Sequence, residues 1–254
     1  MHFKRIGLAV LAVIVGVVIY SFVPKQYPVF EMKAGIKPDG GHHVLIFGAT
    51  RNTGLEVARV LVNRGDKVTA FVRPTSNRSD LELLGVTFVE GDALDMDTVK
   101  AAFVDNGYTA VLTTIACFSC DPKPDYLGNR NIFDAAVEAD VKRMLLVTTI
   151  GAGDSYEAAP LPARRFLKDM LPLKTSAEDH LMGTSLDYTI IRPGGLKSSP
   201  RTGRGYLSES REASGIINRT DLADLIVEAL DDNGTKGKIL AAVDADMVFP
   251  WDMF

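Results

Sequence analysis

The chain of 254 residues has 46% hydrophobic and 24% charged side chains. That balance excludes wholesale disorder and is enough for a large core without covalent staples. A formal net charge of −4 argues against a nucleic-acid partner. Two cysteines and four histidines exclude a disulfide-dense scaffold and give no basis for a metal site.

In chain order, the first feature is apolar. Ile6 to Val23 is a run of eighteen residues without a charge; as a helix it measures roughly 27 Å, near the hydrocarbon thickness of a bilayer. Tyr20 and Phe22 stand at its far end, where amphipathic rings favour the interface. A cleaved signal peptide is the competing reading, but the run is longer than a usual apolar signal core and no small-x-small cleavage site follows. The expectation is an uncleaved single-span anchor over residues 1–23, in contact with membrane lipid. Lys4 and Arg5 precede the run and Lys25, Lys33 and Lys37 follow it, so flanking charge does not fix its orientation. Residues 24–41 hold three prolines and three glycines and read as a linker, leaving residues 42–254 as the globular body.

In that body, short apolar runs rich in Val, Ile and Leu occur at Val44–Phe47, Val68–Val72, Val86–Val89, Ala110–Thr114, Met144–Thr149 and Tyr188–Ile191. Helix-like stretches intervene at Thr53–Asn63, Thr98–Val104, Arg130–Ala139 and Ala163–Met182, and a helix at Asp221–Leu230 and a strand at Ile239–Val243 close the body. Strands of this composition are buried on both faces. Their alternation with helices predicts an α/β fold, a doubly wound and mostly parallel Rossmann sheet, with ligand at the carboxyl ends of its strands.

The first strand runs into Gly48-Ala49-Thr50-Arg51-Asn52-Thr53-Gly54 and then a helix. Gly48 permits the tight turn and Gly54 a close helix–sheet approach. The N–H groups between them, from Thr50 to Thr53, face a pyrophosphate at the helix start. The second strand ends at Arg73, where an NAD-specific domain carries an acidic residue for the ribose 2′-hydroxyl. With Arg51, Ser76 and Arg78 close by, a guanidinium there favours a 2′-phosphate, and so NADP(H) over NAD(H).

With GATRNTGLEVARVL, the Val89-Glu90-Gly91-Asp92 end of the third strand, LLVTTIGAG at 145–153, Lys174 followed by Ala177-Glu178, and LDYTIIRPGGL at 186–196, the chain resembles the atypical short-chain dehydrogenases/reductases. The resemblance is to their NAD(P)H-binding group, related to NmrA-like and biliverdin-reductase-B-like proteins. It covers about residues 43–243 and implies roles by position. Asp92, with Ala93, lies beside the adenine. Thr113, Thr114 and Ile115 line the nicotinamide ribose side. Thr149, with Thr148 before it, stands where such reductases often keep a serine. Lys174 reaches the nicotinamide ribose, and Pro193, Gly194 and Gly195 back the carboxamide. Thr149 and Lys174 are the candidate catalytic residues.

Two departures bear on chemistry. Arg51 replaces the middle glycine of the GATGxxG loop. Met170 stands four residues before Lys174, where the superfamily's proton-donating tyrosine belongs. Three consequences follow: an acceptor such as a flavin or quinone that needs no enzymic acid, another acid drawn from Tyr156, Tyr206 or Asp154, or a domain that binds NADP(H) without turnover. The leading reading is a membrane-anchored NADP(H)-dependent oxidoreductase passing hydride to a small conjugated acceptor near Thr149, Lys174 and the Cys117 loop. The alternative is a non-catalytic NADP(H)-binding subunit, assembly factor or redox sensor of a membrane complex. Cys117 and Cys120 are expected to be two reduced thiols in a loop, and His180 a partly exposed surface residue. Because NADPH is maintained inside cells, the domain is expected on the cytoplasmic, or stromal or matrix-equivalent, side.

Overall fold

In a computed structural model, residues 26–33, 40–104, 107–247 and 249 are described. The chain runs β1 (His43–Phe47), α1 (Asn52–Asn63), β2 (Lys67–Val72), α2 (Ser79–Glu82), β3 (Thr87–Glu90), α3 (Met96–Ala101), β4 (Ala110–Thr113), α4 (Pro124–Glu138) and β5 (Arg143–Val147). It continues through α5 (Leu161–Phe166), α6 (Leu171–Met182), β6 (Asp187–Pro193), β7 (Gly195–Lys197), β8 (Gly205–Ser208), β9 (Ile216–Asn218), α7 (Arg219–Asp231) and β10 (Lys238–Asp244).

Every pairing in the main sheet is parallel except the last, and the order is β3-β2-β1-β4-β5-β6-β10-β8. Val44 aligns with Val68 on one side and Ala110 on the other. β8 runs antiparallel to β10, with Leu207 opposite Ala242. Strand order reverses between β1 and β4, and this is where a doubly wound sheet opens its crevice. Side chains alternate across the sheet with the period of two that strand geometry imposes. Val44 and Ile46 point into a core shared with Leu55, Ala58 and Leu61 of α1 and Leu222, Ile226 and Leu230 of α7. Leu45 and Phe47 point the other way, onto Ile132 and Phe133 of α4 and Ala177 and Leu181 of α6. The result is a Rossmann-like α/β fold with helices on both faces.

The structure revises three expectations. The stretch Ala163–Met182 is not one helix: α5 ends at Phe166 and α6 starts at Leu171. Pro172, in the first turn of α6, has no N–H to continue a preceding helix. α4 begins six residues earlier than predicted, on Pro124 at its first position. Finally, part of the predicted linker joins the body. Phe30 and Met32 pack on the core, the Phe30 N–H donates to the Leu207 carbonyl at 2.7 Å, and the Lys33 N–H donates to Asp232 Oδ2 at 2.7 Å. Among the described residues no helix is long and apolar enough to cross a membrane. The expected anchor, residues 6–23, lies outside the described residues.

Candidate functional site: a cleft at the strand-order reversal

The β1–α1 loop is closed from behind by its glycines. Gly48 has φ +89, and a Cβ on it would stand 2.7 Å from Thr114 Oγ1. A Cβ on Gly54 would lie 2.2 Å from the Gly48 carbonyl oxygen. Only glycine fits either place. Gly54 therefore shapes the loop without lining the cleft, whereas Gly48, Thr50, Arg51, Asn52 and Thr53 line it. α1 starts with no side-chain cap and no acidic residue in its first turn. Its free N–H groups and positive end are thus unopposed within the chain, an arrangement suited to an anion.

Beside this loop, Arg73 and Ser76 line the same cleft. Neither Arg73 nor Arg51 makes an ion pair among the described residues. Arg78, adjacent in sequence, is committed elsewhere: it bonds Glu90 at 2.7 Å and lies over the Phe88 ring. Asp92 and Ala93 form the neighbouring wall, and the Asp92 carboxylate accepts the Leu94 N–H at 2.9 Å.

At the other end the cleft is lined by Thr114, Ile115, Thr148, Thr149, Lys174, Gly194 and Gly195. Lys174 Nζ lies 3.1 Å from Asp125 Oδ1, both side chains being buried. That oxygen makes no aligned hydrogen bond, so the contact is a charge pairing only. Asp125 Oδ2 accepts the Cys117 N–H at 3.2 Å, linking the lysine to the loop after β4. Glu178 holds Arg192 through two hydrogen bonds, Nε at 3.0 Å and Nη2 at 2.7 Å, and accepts the Thr148 hydroxyl at 2.5 Å. A buried bidentate pair of this kind fixes Thr148 beneath Thr149. The Thr149 hydroxyl itself donates to the Ile150 carbonyl at 3.1 Å.

Not every predicted residue reaches the cleft. Thr113 is fully buried and donates to Asn129 Oδ1 at 2.7 Å, and Pro193 ends β6 behind the lining. None of the three alternative acids lines it. Asp154 is held by Arg192 and Arg211. Tyr156 lies 48% exposed under Arg164. Tyr206 accepts the Tyr27 N–H at 3.4 Å, and burial pushes its phenol up. Met170, buried immediately before α6, is not among the residues that line the cleft.

Cys117 and Cys120, expected as free thiols, form a disulfide in the cleft wall. The turn after β4 brings their Cα atoms to 5.4 Å, well within bridging range. His180 pairs with Asp134 at 2.7 Å, with about a third of its ring side exposed. Asp125, Arg219, Phe118 and Phe166, none of them predicted, complete the surroundings. The last three line the cleft, whose volume is about 1090 Å³.

A doubly wound sheet with a glycine-closed, amide-lined loop at its strand-order reversal defines a nucleotide-binding Rossmann domain of the oxidoreductase-like type. More particularly, residues 48–233 match the model of the NAD(P)H-binding family, and the chain belongs to that family. Among solved structures it is similar to the anaerobillin reductase ChuY of Escherichia coli O157:H7, 29% identical with a TM-score of 0.73 over 80% of this chain and 98% of that one. It is 30% identical to an uncharacterized chloroplastic protein of Arabidopsis thaliana over 79% of this chain and 76% of that protein. It is 26% identical to the photosystem II assembly factor Ycf39 of Synechocystis over 60% of this chain and 44% of that protein.

Proposed function

We propose that the cleft binds NADP(H) and that the protein is an NADP(H)-dependent oxidoreductase acting on a small conjugated acceptor. The observation that carries this reading is the uncapped start of α1, free of acidic residues, beside two arginines without carboxylate partners. The residues fit the nucleotide as follows. Gly48 to Thr53 offer N–H groups to the pyrophosphate, Arg73 and Ser76 meet a 2′-phosphate, and Asp92 and Ala93 flank the adenine. NADP(H) would supply a hydride at the Thr149–Lys174 end. There Thr149 can orient a polar atom, and Lys174, held by Asp125, keeps a positive charge beside the ribose and the acceptor. The lining holds no tyrosine to donate a proton, which suits an acceptor that takes its proton from water, as flavins, quinones and extended conjugated systems can. A reductase relative such as ChuY supports the same reading. The residue 6–23 run would tether the domain to a membrane, with the cleft on the NADPH-supplied side.

The deciding experiment titrates the full chain with NADPH and NADH, then follows NADPH oxidation against flavins, quinones and conjugated carbonyls. Preference for NADPH with turnover by at least one acceptor is expected, and Lys174→Ala removes the turnover. A second reading, a non-catalytic NADP(H)-binding assembly factor or sensor, gains support from the buried Met170 and from the Ycf39 relative. Tight NADPH binding, no turnover with any acceptor and a stable partner in detergent extracts would favour it.

A further inference from the structure

Three hydrogen bonds fix the path by which the upstream chain meets the body. The Tyr27 N–H donates to the Tyr206 hydroxyl at 3.4 Å, the Phe30 N–H to the Leu207 carbonyl at 2.7 Å, and the Lys33 N–H to Asp232 Oδ2 at 2.7 Å. Tyr206 stands opposite Val243, near the carboxyl end of β10, whereas Asp232 precedes that strand. β10 runs parallel to β6, with Ala242 opposite Pro193, and Gly194 and Gly195 just beyond that proline line the cleft. Residues 27–33 therefore run down the sheet edge from the cleft end to the opposite end. Tyr27 also packs on a cluster that includes Ile150, Ala159 and Val243, and the first two of these line the cleft. The chain before residue 26 thus departs from the end of the sheet at which the cleft opens, beside the cleft wall. Only three residues separate Gln26 from Val23, the last of the uncharged run, and fully extended they reach roughly 10 Å. A bilayer entered by that run is held close to the cleft end of the domain.

The surface there is apolar and basic. Just past Ala159, α5 exposes Leu161 (52%) and Phe166 (73%). Phe118 is 57% exposed, its ring centroid 5.4 Å from that of Phe166. Both rings belong to the cleft lining, so they mark its rim. Arg165 and Lys168, on either side of Phe166, are exposed, and Asp169 is the one carboxylate in residues 161–169. Among the described residues no ion pair holds Arg165 or Lys168, whereas Arg164 is held by Glu157. Exposed rings and leucines mixed with lysine and arginine suit the headgroup zone of a membrane. Arg73, by contrast, follows β2 near the other edge of the sheet, so the phosphate end of the cleft lies away from this rim.

We propose that the carboxyl-end face of the domain rests on a lipid bilayer, with Leu161, Phe166 and Phe118 in the interface and the phosphate end of the cleft in water. The proposal rests on residues 6–23 being a membrane anchor and goes beyond that reading by fixing which face meets the lipid. A tether this short keeps the rim at high local concentration over the bilayer, so a small apolar patch suffices where an untethered domain would need a larger one.

The test places the full chain in phosphatidylcholine–phosphatidylglycerol vesicles whose phosphatidylcholine is brominated high on its acyl chains, and reads quenching of single tryptophans. Trp251, the chain's one tryptophan, is first replaced by Phe. Flotation and a thermal melt on every variant check that it is bound and folded. Interfacial side chains sit about 5–10 Å into the headgroup and acyl boundary, so Phe166→Trp and Phe118→Trp should each lose fluorescence at least about twofold. Leu83→Trp should change little, since Leu83 is exposed ahead of β3, at the opposite end and edge of the sheet. Leu161→Glu with Phe166→Glu should reduce quenching of the Phe118→Trp reporter without affecting flotation. Rim reporters left unquenched in a chain that floats would overturn the assignment and leave the anchor standing, and so would equal quenching at Leu83→Trp. Unquenched rim reporters that become shielded from acrylamide as the protein-to-lipid ratio rises would give the rim to a second copy of the chain instead. A folded chain that does not float would sink the anchor and the lipid-facing rim together.

Discussion

Gly54→Ala tests the cleft at its hinge. The new Cβ would sit 2.2 Å from the Gly48 carbonyl oxygen, where side-chain carbons essentially never come closer than 3.0 Å. The two nearest atoms are main chain, so no side-chain rotation relieves the clash, and Thr114 Oγ1 would stand 2.9 Å away as well. The loop between them must move by about 0.8 Å, enough to spoil hydrogen bonds whose useful range spans only about half an ångström. Overpacking of this kind costs about 1–3 kcal/mol, offset by up to about 1 kcal/mol from replacing a helical glycine. The net effect on melting is a fall of roughly 2–8 °C. Nucleotide affinity should suffer more, by at least about tenfold, because each displaced N–H contact to a charged phosphate is worth about 1.5–3 kcal/mol. NADPH fluorescence titration and a thermal melt on the same samples read both effects. Gly85→Ala is the control: Gly85 has φ +69 but open space around it, so strain alone should lower the melt and leave NADPH binding unchanged. If Gly54→Ala bound NADPH within about twofold of the unaltered protein, the amides of this loop would not be the phosphate site.

Arg73→Glu should cost NADPH about ten- to a hundredfold in affinity while sparing NADH. Arg78→Ala, whose partner is Glu90, should leave that preference alone; paired dissociation constants decide. Glu178→Gln removes the buried one of the two carboxylates that hold Arg192, leaving Asp154 on Nη1, and should destabilise by about 1.5–3 kcal/mol in urea. The double substitution Glu178→Met with Arg192→Met should recover much of that loss. A thiol assay should find no free cysteine before reduction and two after it. Closure of so short a loop is worth about 2 kcal/mol, so reduction should lower the melting temperature by roughly 4–8 °C.

The parallel sheet was readable because its strands are short, apolar and bounded by helix-length stretches, and the loop because Gly48 and Gly54 bracket a strand-to-helix turn. Local signals carried both. What escaped was carried by distance along the chain. Asp125 and Lys174, or Glu178 and Arg192, meet only when their elements pack. Thr113 could be assigned to a strand end but not to a face, and its hydroxyl turned to Asn129 in the interior. The Cys117–Cys120 spacing gave no measure of how tightly the intervening turn would close. The break before α6 was different: Pro172 marks it in the sequence itself. Phe30 and Met32 similarly stood out as large apolar side chains in a stretch read as linker.

The pairing of Phe30 with Leu207 also fixes where the upstream chain joins the body. It arrives along β8, at the sheet edge, five strand spacings from β1, or roughly 24 Å at about 4.8 Å per strand. A pull transmitted through residue 26 would load that rim and peel at the one antiparallel strand before it strained the phosphate-side loop. The domain could therefore be held at its border, like a page by its margin, while small molecules came and went at its middle.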